Sequence, residues 1–316
     1  MFKSLQNRRN RNSSQHSAFE SLEARLCMST TSYDPATRTL TITGTEGPDH
    51  VSIITYAEDG RLRVMDGNAI IRAGNNENFK KIVVDLKGGD DQFELTGGSL
   101  KTISVAHDFD IKLGEGVNVA RIDMSGTTFY SSIINSVYGD WNINITGGSQ
   151  RDDVTANLGR RTAAKTTLTA HLGGGTDFFT GSIDGNTDDG LTRMSVFGEA
   201  GIDTMTGGVT ADTFDGGSDN DIIHGGAGND KLFGNGGLDQ LFGEDGNDSL
   251  DGGGLGLTND RDILTGGAGR DIFSQYRSGP TGAFNQDLIT DRESIDIVYN
   301  VGGLQTLTVT RLPTFA

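Results

Sequence analysis

The stretch Gly216-Gly-Ser-Asp-Asn-Asp-Ile-Ile-His-Gly-Gly-Ala-Gly-Asn-Asp-Lys-Leu-Phe233 contains two copies of a nine-residue unit, and this unit decides the fold. Its form is Gly-Gly-x-Gly-x-Asp-x-apolar-x, and it occurs eight times between Gly198 and Ser274. The seventh copy, which begins at Gly252, carries five extra residues. A fixed internal period indicates a solenoid of stacked coils, because no single unit can bury its apolar face alone.

The sixth position of the unit is aspartate in every copy: Asp203, Asp212, Asp221, Asp230, Asp239, Asp248, Asp262 and Asp271. The glycines allow a tight turn with φ above zero, which directs peptide carbonyls toward a shared centre. In the middle copies we expect the contributing glycines to be Gly216, Gly225, Gly226, Gly228, Gly234, Gly237, Gly243 and Gly246. Such a mixture of carboxylate and carbonyl oxygens suits Ca²⁺, which takes about 6–8 oxygens and tolerates looser geometry than Mg²⁺.

The eighth position is apolar in every copy: Met205, Phe214, Ile223, Leu232, Leu241, Leu250, Leu264 and Phe273. A three-residue strand with its middle side chain pointing inward would stack these residues into a narrow core. A solvated acidic linker is the alternative, since Gly- and Asp-rich chain is usually disordered. Eight apolar residues in strict phase argue against that alternative.

Most of the negative charge lies in the repeats. The segment from Gly198 to Ser274 holds 15 acidic and 3 basic residues, a net charge of −12, whereas the whole chain carries −17. Like charges this close oppose folding unless a cation neutralises them, so we expect the segment to be loose without calcium and ordered with it. A sequence pI near 4.6 excludes nucleic acid as a favoured partner, because its phosphates would be repelled.

These residues resemble the RTX, or haemolysin-type, calcium-binding repeats of secreted bacterial proteins. The resemblance implies a parallel β-roll in which two nonapeptides form one coil and calcium lies between repeats one coil apart. The implied pairs are Asp203–Asp221, Asp212–Asp230, Asp221–Asp239, Asp230–Asp248, Asp239–Asp262 and Asp248–Asp271. Three early residues depart from the pattern, Glu199 at the second position and Thr210 and Asp219 at the fourth, which predicts weaker half-sites there.

Upstream of the repeats, Gly-x-Asp-x-apolar or a near variant recurs at longer steps. The acidic or amide residues of these turns are Asp49, Asp91, Asn118, Asp152 and Asp177, followed by Asp203, at steps of 42, 27, 34, 25 and 26 residues. Alternating runs precede these turns and predict half-buried strands at 39–43, 81–86, 142–146 and 167–172. The pattern favours a solenoid with long rungs over 31–196. A separate antiparallel β-sandwich in this region is the alternative.

We therefore predict an all-β protein, a right-handed parallel β-helix or β-roll solenoid with a C-terminal cap. Its expected divisions are a basic N-terminal export or processing segment at 1–30, long rungs at 31–196, the calcium roll at 197–275 and the cap at 276–316. In the first of these, Leu22-Glu-Ala-Arg-Leu26 resembles the LEPR-type N-terminal motif of large bacterial surface and secreted proteins, which implies export. A short amphipathic helix capping the first coil is the alternative for the same residues.

The tail from Asp287 to Val298 resembles the stretch that often follows RTX arrays, and Leu304 to Arg311 predicts a closing strand. A solenoid end exposes strand edges and core, so a covering segment is expected there. The lone Cys27 rules out an intrachain disulfide, so we expect calcium to stabilise the fold where other secreted proteins use disulfides. No run of 18 apolar residues occurs, so we expect no transmembrane span.

The sequence shows no catalytic constellation. The motifs His-Glu-x-x-His and Gly-x-Ser-x-Gly are absent, and the five histidines are scattered singly. We predict a non-enzymatic, extracellular or cell-surface calcium-binding protein with a structural or matrix role, with matrix polysaccharide as a further expected partner. The second hypothesis is a polysaccharide-active β-helix protein, similar to lyases or epimerases, that carries the calcium module. Arg160, Arg161 and Lys165, near Asp152 and Asp153, would be its site.

Overall fold

A computed structural model describes residues 29–55, 61–75, 79–97, 107–124, 140–159, 165–183, 190–253, 261–278, 283–284, 287–291, 297–301 and 307–311. In these ranges the chain forms 27 strands and no helix. The strands of the first part are β1 (Thr30–Asp34), β2 (Thr39–Thr43), β3 (His50–Thr55), β4 (Arg61–Asp66), β5 (Ala69–Asn75), β6 (Lys81–Asp85), β7 (Gln92–Gly97), β8 (His107–Lys112), β9 (Asn118–Asp123), β10 (Trp141–Thr146), β11 (Asp152–Leu158), β12 (Thr166–His171), β13 (Gly174–Gly175) and β14 (Phe178–Ile183). Those of the second part are β15 (Thr192–Gly201), β16 (Thr204–Thr206), β17 (Thr213–Ser218), β18 (Ile222–Ala227), β19 (Lys231–Gly236), β20 (Gln240–Asp245), β21 (Ser249–Asp251), β22 (Ile263–Ala268), β23 (Ile272–Ser278), β24 (Ala283–Phe284), β25 (Leu288–Asp291), β26 (Ile297–Val301) and β27 (Leu307–Arg311).

The strands form two long sheets. Sheet A has 15 strands, 13 of them in the order β1-β2-β6-β8-β10-β12-β15-β17-β19-β21-β23-β26-β27. Sheet B has 12 strands in the order β25-β22-β20-β18-β16-β14-β11-β9-β7-β3-β4-β5. From β6 to β26, apart from the two-residue strands β13 and β24, the chain alternates between the sheets, and each strand pairs in parallel with the strand one coil away. This confirms the all-β parallel solenoid, while its handedness stays a prediction.

The core is the line of inward side chains between the two sheets. In the short coils one residue per strand points inward, and register places Ile223 opposite Leu241 and Leu241 opposite Leu264. The eight apolar residues at the eighth position of the unit are all fully buried, as predicted. In the long rungs two or three alternating residues per strand point inward, for example Ile143 and Ile145 of β10. The strands predicted at 39–43, 81–86, 142–146 and 167–172 are confirmed to within one residue at each end.

The sheets continue from the long rungs into the short coils. Phe179 of β14 lies opposite Met205 of β16, and Val196 of β15 lies opposite Phe214 of β17, both in parallel pairing. A separate antiparallel sandwich over 31–196 is therefore wrong for the described strands. Among all the described strands, antiparallel pairs occur at the two ends of sheet A, in the β3-β4-β5 meander at one end of sheet B and between β23 and β24.

The C-terminal strands complete the two sheets. β25 adds to sheet B and β26 to sheet A in parallel, and β27 then pairs with β26 in the antiparallel direction. The predicted closing strand is confirmed, because an antiparallel hairpin ends the stack of parallel coils. The N-terminal segment predicted at 1–30 lies outside the described residues apart from Ser29 and Thr30. Over the part of the chain that is described, no helix has the length and apolar character needed to cross a membrane.

Candidate metal centre

Two columns of buried acidic side chains run along the solenoid at the points where strands begin. The first column precedes or begins strands of sheet B, and its members are Asp49, Asp91, Asn118, Asp152, Asp177, Asp203, Asp221, Asp239, Asp262 and Asp287. The second column precedes strands of sheet A, and its members are Asp212, Asp230, Asp248 and Asp271. All of them are at most 6% exposed. Charged side chains that are buried to this extent require hydrogen bonds or a counter-ion.

Hydrogen bonds join neighbouring coils along each column. The backbone N–H of Asp203 donates to Oδ1 of Asp221 at 2.8 Å, and that of Asp221 donates to Oδ1 of Asp239 at 2.8 Å. The same bond links Asp212 to Asp230 and Asp230 to Asp248, each at 2.8 Å, in the second column. All six predicted pairs of repeat aspartates are joined in this way.

The second oxygen of these carboxylates faces a different environment. Oδ2 is buried and accepts no hydrogen bond in Asp91, Asp177, Asp203, Asp212, Asp221, Asp230 and Asp248. In the repeats, apart from the copy of Asp212, this oxygen lies against the first glycine of its own unit. A Cβ atom built on Gly225 would lie 2.6 Å from Oδ2 of Asp230 and 2.9 Å from the carbonyl oxygen of Gly243, one coil further on. Because a Cβ would clash with both oxygens, glycine is required at this position, where a carboxylate and a peptide carbonyl come close together.

Burial raises the pKa of these carboxyl groups. The pKa of Asp221 and of Asp230 rises to about 8, first through burial and then through neighbouring carboxylates, although a backbone N–H from the preceding coil opposes the rise. The pKa of Asp203 and Asp248 rises to about 6 for the same leading reason. Burial thus favours the neutral form, and a bound cation would favour the charged form instead.

The turn backbone presents carbonyls in a repeated way. In most copies the second and fourth residues take positive φ, for example Gly226 at 99° and Gly228 at 133°. Glu199 and Asp219, which replace glycine at these positions, keep the same geometry at 74° and 76°. Thr210 does not show a positive φ, and its hydroxyl donates to Oδ1 of Asp212 at 2.8 Å. The turns at Glu199 and Asp219 therefore keep their shape, and the weaker half-sites predicted there would need another cause.

These donors fit a hard cation. Among the described residues, no three side chains of Asp, Glu, His or Cys converge as a metal cluster, so a cation here would take several ligands from peptide carbonyls. The oxygen-only donor set, with buried Oδ2 atoms that have no partner and peptide carbonyls close to them beside the first glycines, matches the ligand preference of Ca²⁺. The predicted glycines lie in these turns, Gly216, Gly225, Gly234 and Gly243 at the first position and Gly226, Gly228, Gly237 and Gly246 at the second or fourth.

Sequence reasoning identified the upstream acids as turn markers and missed their membership of the first column. The hydrogen bonds Asp49–Asp91, Asp152–Asp177 and Asp177–Asp203 span 42, 25 and 26 residues, which are the steps of the sequence pattern. Asp287 was also missed as a column residue, and it accepts from the N–H of Asp262 at 3.3 Å. The spacing of Gly-x-Asp could have revealed the upstream members, whereas Asp287 has Asn285 two residues before it in place of glycine.

Of the residues considered for catalysis, the structure describes Asp152, Asp153 and Lys165. That side chain is fully buried in the first column, and its Oδ2 accepts from the N–H of Gly148 at 2.9 Å. Asp153 is exposed and pairs with Arg151 at 3.0 Å. Lys165 is exposed, and Arg160 and Arg161 lie outside the described residues. Asp152 is thus a buried member of the first column and not an exposed residue, and the catalytic role of this region stays a hypothesis.

The fold and these columns define a class of protein, the parallel β-roll with acidic, carbonyl-rich turns that bind cations. Residues 197–232, 224–254 and 258–274 match the family model of the RTX calcium-binding nonapeptide repeat, in four copies. The repeat segment of this chain is therefore an RTX calcium-binding repeat array, as the sequence indicated. No curated protein matches the chain.

Proposed function

We propose that this is an extracellular, non-enzymatic calcium-binding protein whose roll becomes ordered when the ion binds. The observation that carries the proposal is the set of buried Oδ2 atoms that accept no hydrogen bond, in Asp203, Asp212, Asp221, Asp230 and Asp248. Leaving a buried acceptor without a partner costs about 1–3 kcal/mol, and more when it is charged. Five such atoms within the first six copies are a shared feature that one kind of ligand would satisfy.

Calcium would be held between coils by the column aspartates and by carbonyls of the turn glycines. Because each site draws on two coils that are 18 residues apart in the short repeats, the ion would bind the stacked form and not the extended chain. Binding free energy then becomes folding free energy. The net charge of −12 across the repeat segment also destabilises the calcium-free roll, because like charges repel one another.

Two features support an extracellular place of action. The array is of the RTX type, which is typical of secreted proteins. The affinity expected for oxygen-rich turns of extracellular modules is about 10⁻⁴–10⁻³ M, so such sites would fill at millimolar calcium and not at cytosolic levels. A structural role on a surface or in a matrix agrees with the repeated short coils.

The experiment is a calcium titration of the full chain, starting in chelator, followed by far-UV circular dichroism and calorimetry. We expect a cooperative gain of β signal near millimolar Ca²⁺ and little response to Mg²⁺. A matched pair of variants separates site from surface charge: Asp221→Asn with Asp230→Asn removes two buried carboxylates, and Asp219→Asn with Asp245→Asn removes two exposed ones. Equal responses to both ions, or equal loss in both double variants, would contradict the proposal.

One observation favours a second candidate, a polysaccharide-active protein. A cavity of about 140 Å³ on the upstream half is lined by His50, Gln92, Phe93, Glu94, Val119 and Arg121. Glu94 and Arg121 are opposite each other in β7 and β9, and both are exposed, so a carboxylate and a guanidinium flank one opening. The test is incubation of the full chain with an acidic polysaccharide, with chain shortening as the signal. Activity that Glu94→Gln and Arg121→Ala both abolish would establish this candidate, and no shortening would dismiss it.

A further inference from the structure

The side-chain amide of Asn118 makes an unusual set of contacts in the first column. Its Nδ2 donates to the carbonyl oxygens of Gly114 at 3.2 Å and Gly116 at 3.1 Å, and to Oδ1 of Asp152 on the next coil at 2.8 Å. Asn118 is fully buried. The two glycines are the second and fourth residues of its turn. One electropositive group therefore lies where two turn carbonyls and a carboxylate of the next coil converge.

The turn at 172–177 repeats this backbone. Gly173 and Gly175 take φ of 98° and 136°, close to the 83° and 120° of Gly114 and Gly116. The next coil again supplies a carboxylate, that of Asp203, which accepts from the N–H of Asp177 at 2.8 Å. The acceptors that surround the amide of Asn118 thus have counterparts in this turn, of which the carbonyl oxygen of Gly173 also accepts from the N–H of Ala200 at 2.9 Å.

The sixth residue of the two turns differs, and the difference exchanges a hydrogen-bond donor for an acceptor. Asp177 replaces Asn118, so an acceptor stands where the other turn has a donor. Asp177 is fully buried, its Oδ1 accepts from the N–H of Asp152 at 2.7 Å, and its Oδ2 accepts no hydrogen bond. Burial first, and then the carboxylates of Asp203, Asp152 and Asp153, raise the pKa of Asp177 to about 7, although the N–H of Asp152 opposes the rise. A group of oxygens without a donor at its centre is suited to a cation.

We propose that residues 172–177 and Asp203 form a divalent-cation site outside the RTX repeats. The carboxylates of Asp177 and Asp203 and the carbonyls of Gly173 and Gly175 supply its oxygens. Two coils earlier, the amide of Asn118 performs the same bridging without an ion. This inference rests on the proposed calcium binding, since the same ion would fill both kinds of site. The first matched repeat begins at residue 197, so Asp177 lies 20 residues before the array.

The turn at 86–91 is a useful contrast. Lys87 and Gly89 also take positive φ, and Oδ2 of Asp91 is buried without a partner. The next coil, however, supplies the neutral Asn118, whose Oδ1 accepts from the N–H of Asp91 at 3.0 Å. That turn has one carboxylate where the turn at 172–177 has two. The charge needed for a divalent cation is therefore present at Asp177 and halved at Asp91.

The test counts calcium ions bound per full-length chain, by native mass spectrometry and calorimetry at saturating calcium. Asp177→Asn should bind one ion fewer than the parent protein, because the new amide can bridge the same oxygens as Asn118 does. Asn118→Asp should bind one or two ions more, since it would pair the carboxylates of residues 118 and 152 in its own turn and those of residues 91 and 118 in the turn at 86–91. Asp153→Asn, an exposed neighbour, should leave the number unchanged and controls for net charge.

The outcomes separate this inference from the general one. If the parent protein binds calcium but Asp177→Asn and Asn118→Asp both keep its stoichiometry, the site at Asp177 is overturned while the repeat sites stand. If the parent protein binds no calcium, both proposals fail. Far-UV circular dichroism of each variant checks the fold, and should Asp177→Asn not fold, the extra ion in Asn118→Asp decides the point.

Discussion

The backbone N–H of Asp203 donates to Oδ1 of Asp221 at 2.8 Å, whereas Oδ2 of the same Asp221 is buried and accepts no hydrogen bond. One carboxylate thus serves two purposes. Its first oxygen ties a coil to the preceding coil without any ion, and its second is available to a cation. Because the two oxygens belong to one side chain, substitutions at Asp221 can separate coil stacking from calcium binding.

Asp221→Asn should weaken calcium binding and preserve the calcium-free roll. The amide oxygen still accepts from the N–H of Asp203, and the buried charge is removed. Asp221→Ala should lose calcium binding and also destabilise the calcium-free protein by about 1–3 kcal/mol, because the N–H of Asp203 is left buried without its acceptor. Calorimetric calcium titration and urea unfolding in chelator measure the two effects. Identical unfolding curves for the two variants would argue against a stacking role of Oδ1.

The stability of the calcium-free protein should fall as pH rises. Asp221 and Asp230 have a folded pKa of about 8 against an ordinary value of 3.8, so between these limits the folded state binds more protons than the unfolded state. The contribution is fully present below about pH 4 and is lost as pH passes through about 8. Urea unfolding in chelator at pH values from about 5 to 8 measures it.

Calcium affinity should rise over the same pH window, since the ion must displace these protons. Calorimetry in buffers of different ionisation enthalpy would detect their release. A calcium affinity that does not change with pH, with no proton release, would mean that the column carboxylates are not ligands.

Leu232→Ala should cost about 2–5 kcal/mol of stability, measured by urea unfolding at saturating calcium. Leu232 is fully buried between Phe214 and Leu250 in the parallel register of sheet A, so the coils cannot close the cavity without shifting their pairing. Ile222→Ala is the matched control, because Ile222 occupies the outward seventh position and is only half-buried. It should cost clearly less. A similar loss in both variants would contradict a core made of eighth-position residues.

Asp219→Gly should stabilise the roll by about 0.5–1 kcal/mol. Asp219 stands at a fourth position with φ of 76°, where glycine is the usual residue and carries no steric penalty. The change also removes a charge that raises the pKa of Asp203 and Asp221. Thermal unfolding in chelator and in calcium measures the gain. Asp219→Ala removes the charge but keeps the strain, so it should gain less than the glycine variant.

Much of the fold followed from the sequence because the repeat has a fixed period. In a unit of constant length every sixth and eighth residue returns to the same place in the coil, so the pairing of Asp221 with Asp239 and the burial of Leu241 could be predicted without coordinates. In the long rungs the separations vary from 25 to 42 residues, so the pattern marked the turns without assigning Asp91 or Asp177 to the column.

The sequence by itself determined the all-β solenoid, the inward apolar line and the acidic pairs of the RTX array, since these depend on local residue types and a constant step. The tertiary structure decided which oxygens of the column carry hydrogen bonds, and that the amide of Asn118 bridges Gly114, Gly116 and Asp152. It also decided that the column continues through Asp177 to the upstream half. These are relations between atoms on different coils, and only the stacking of remote segments brings such atoms within hydrogen-bonding distance.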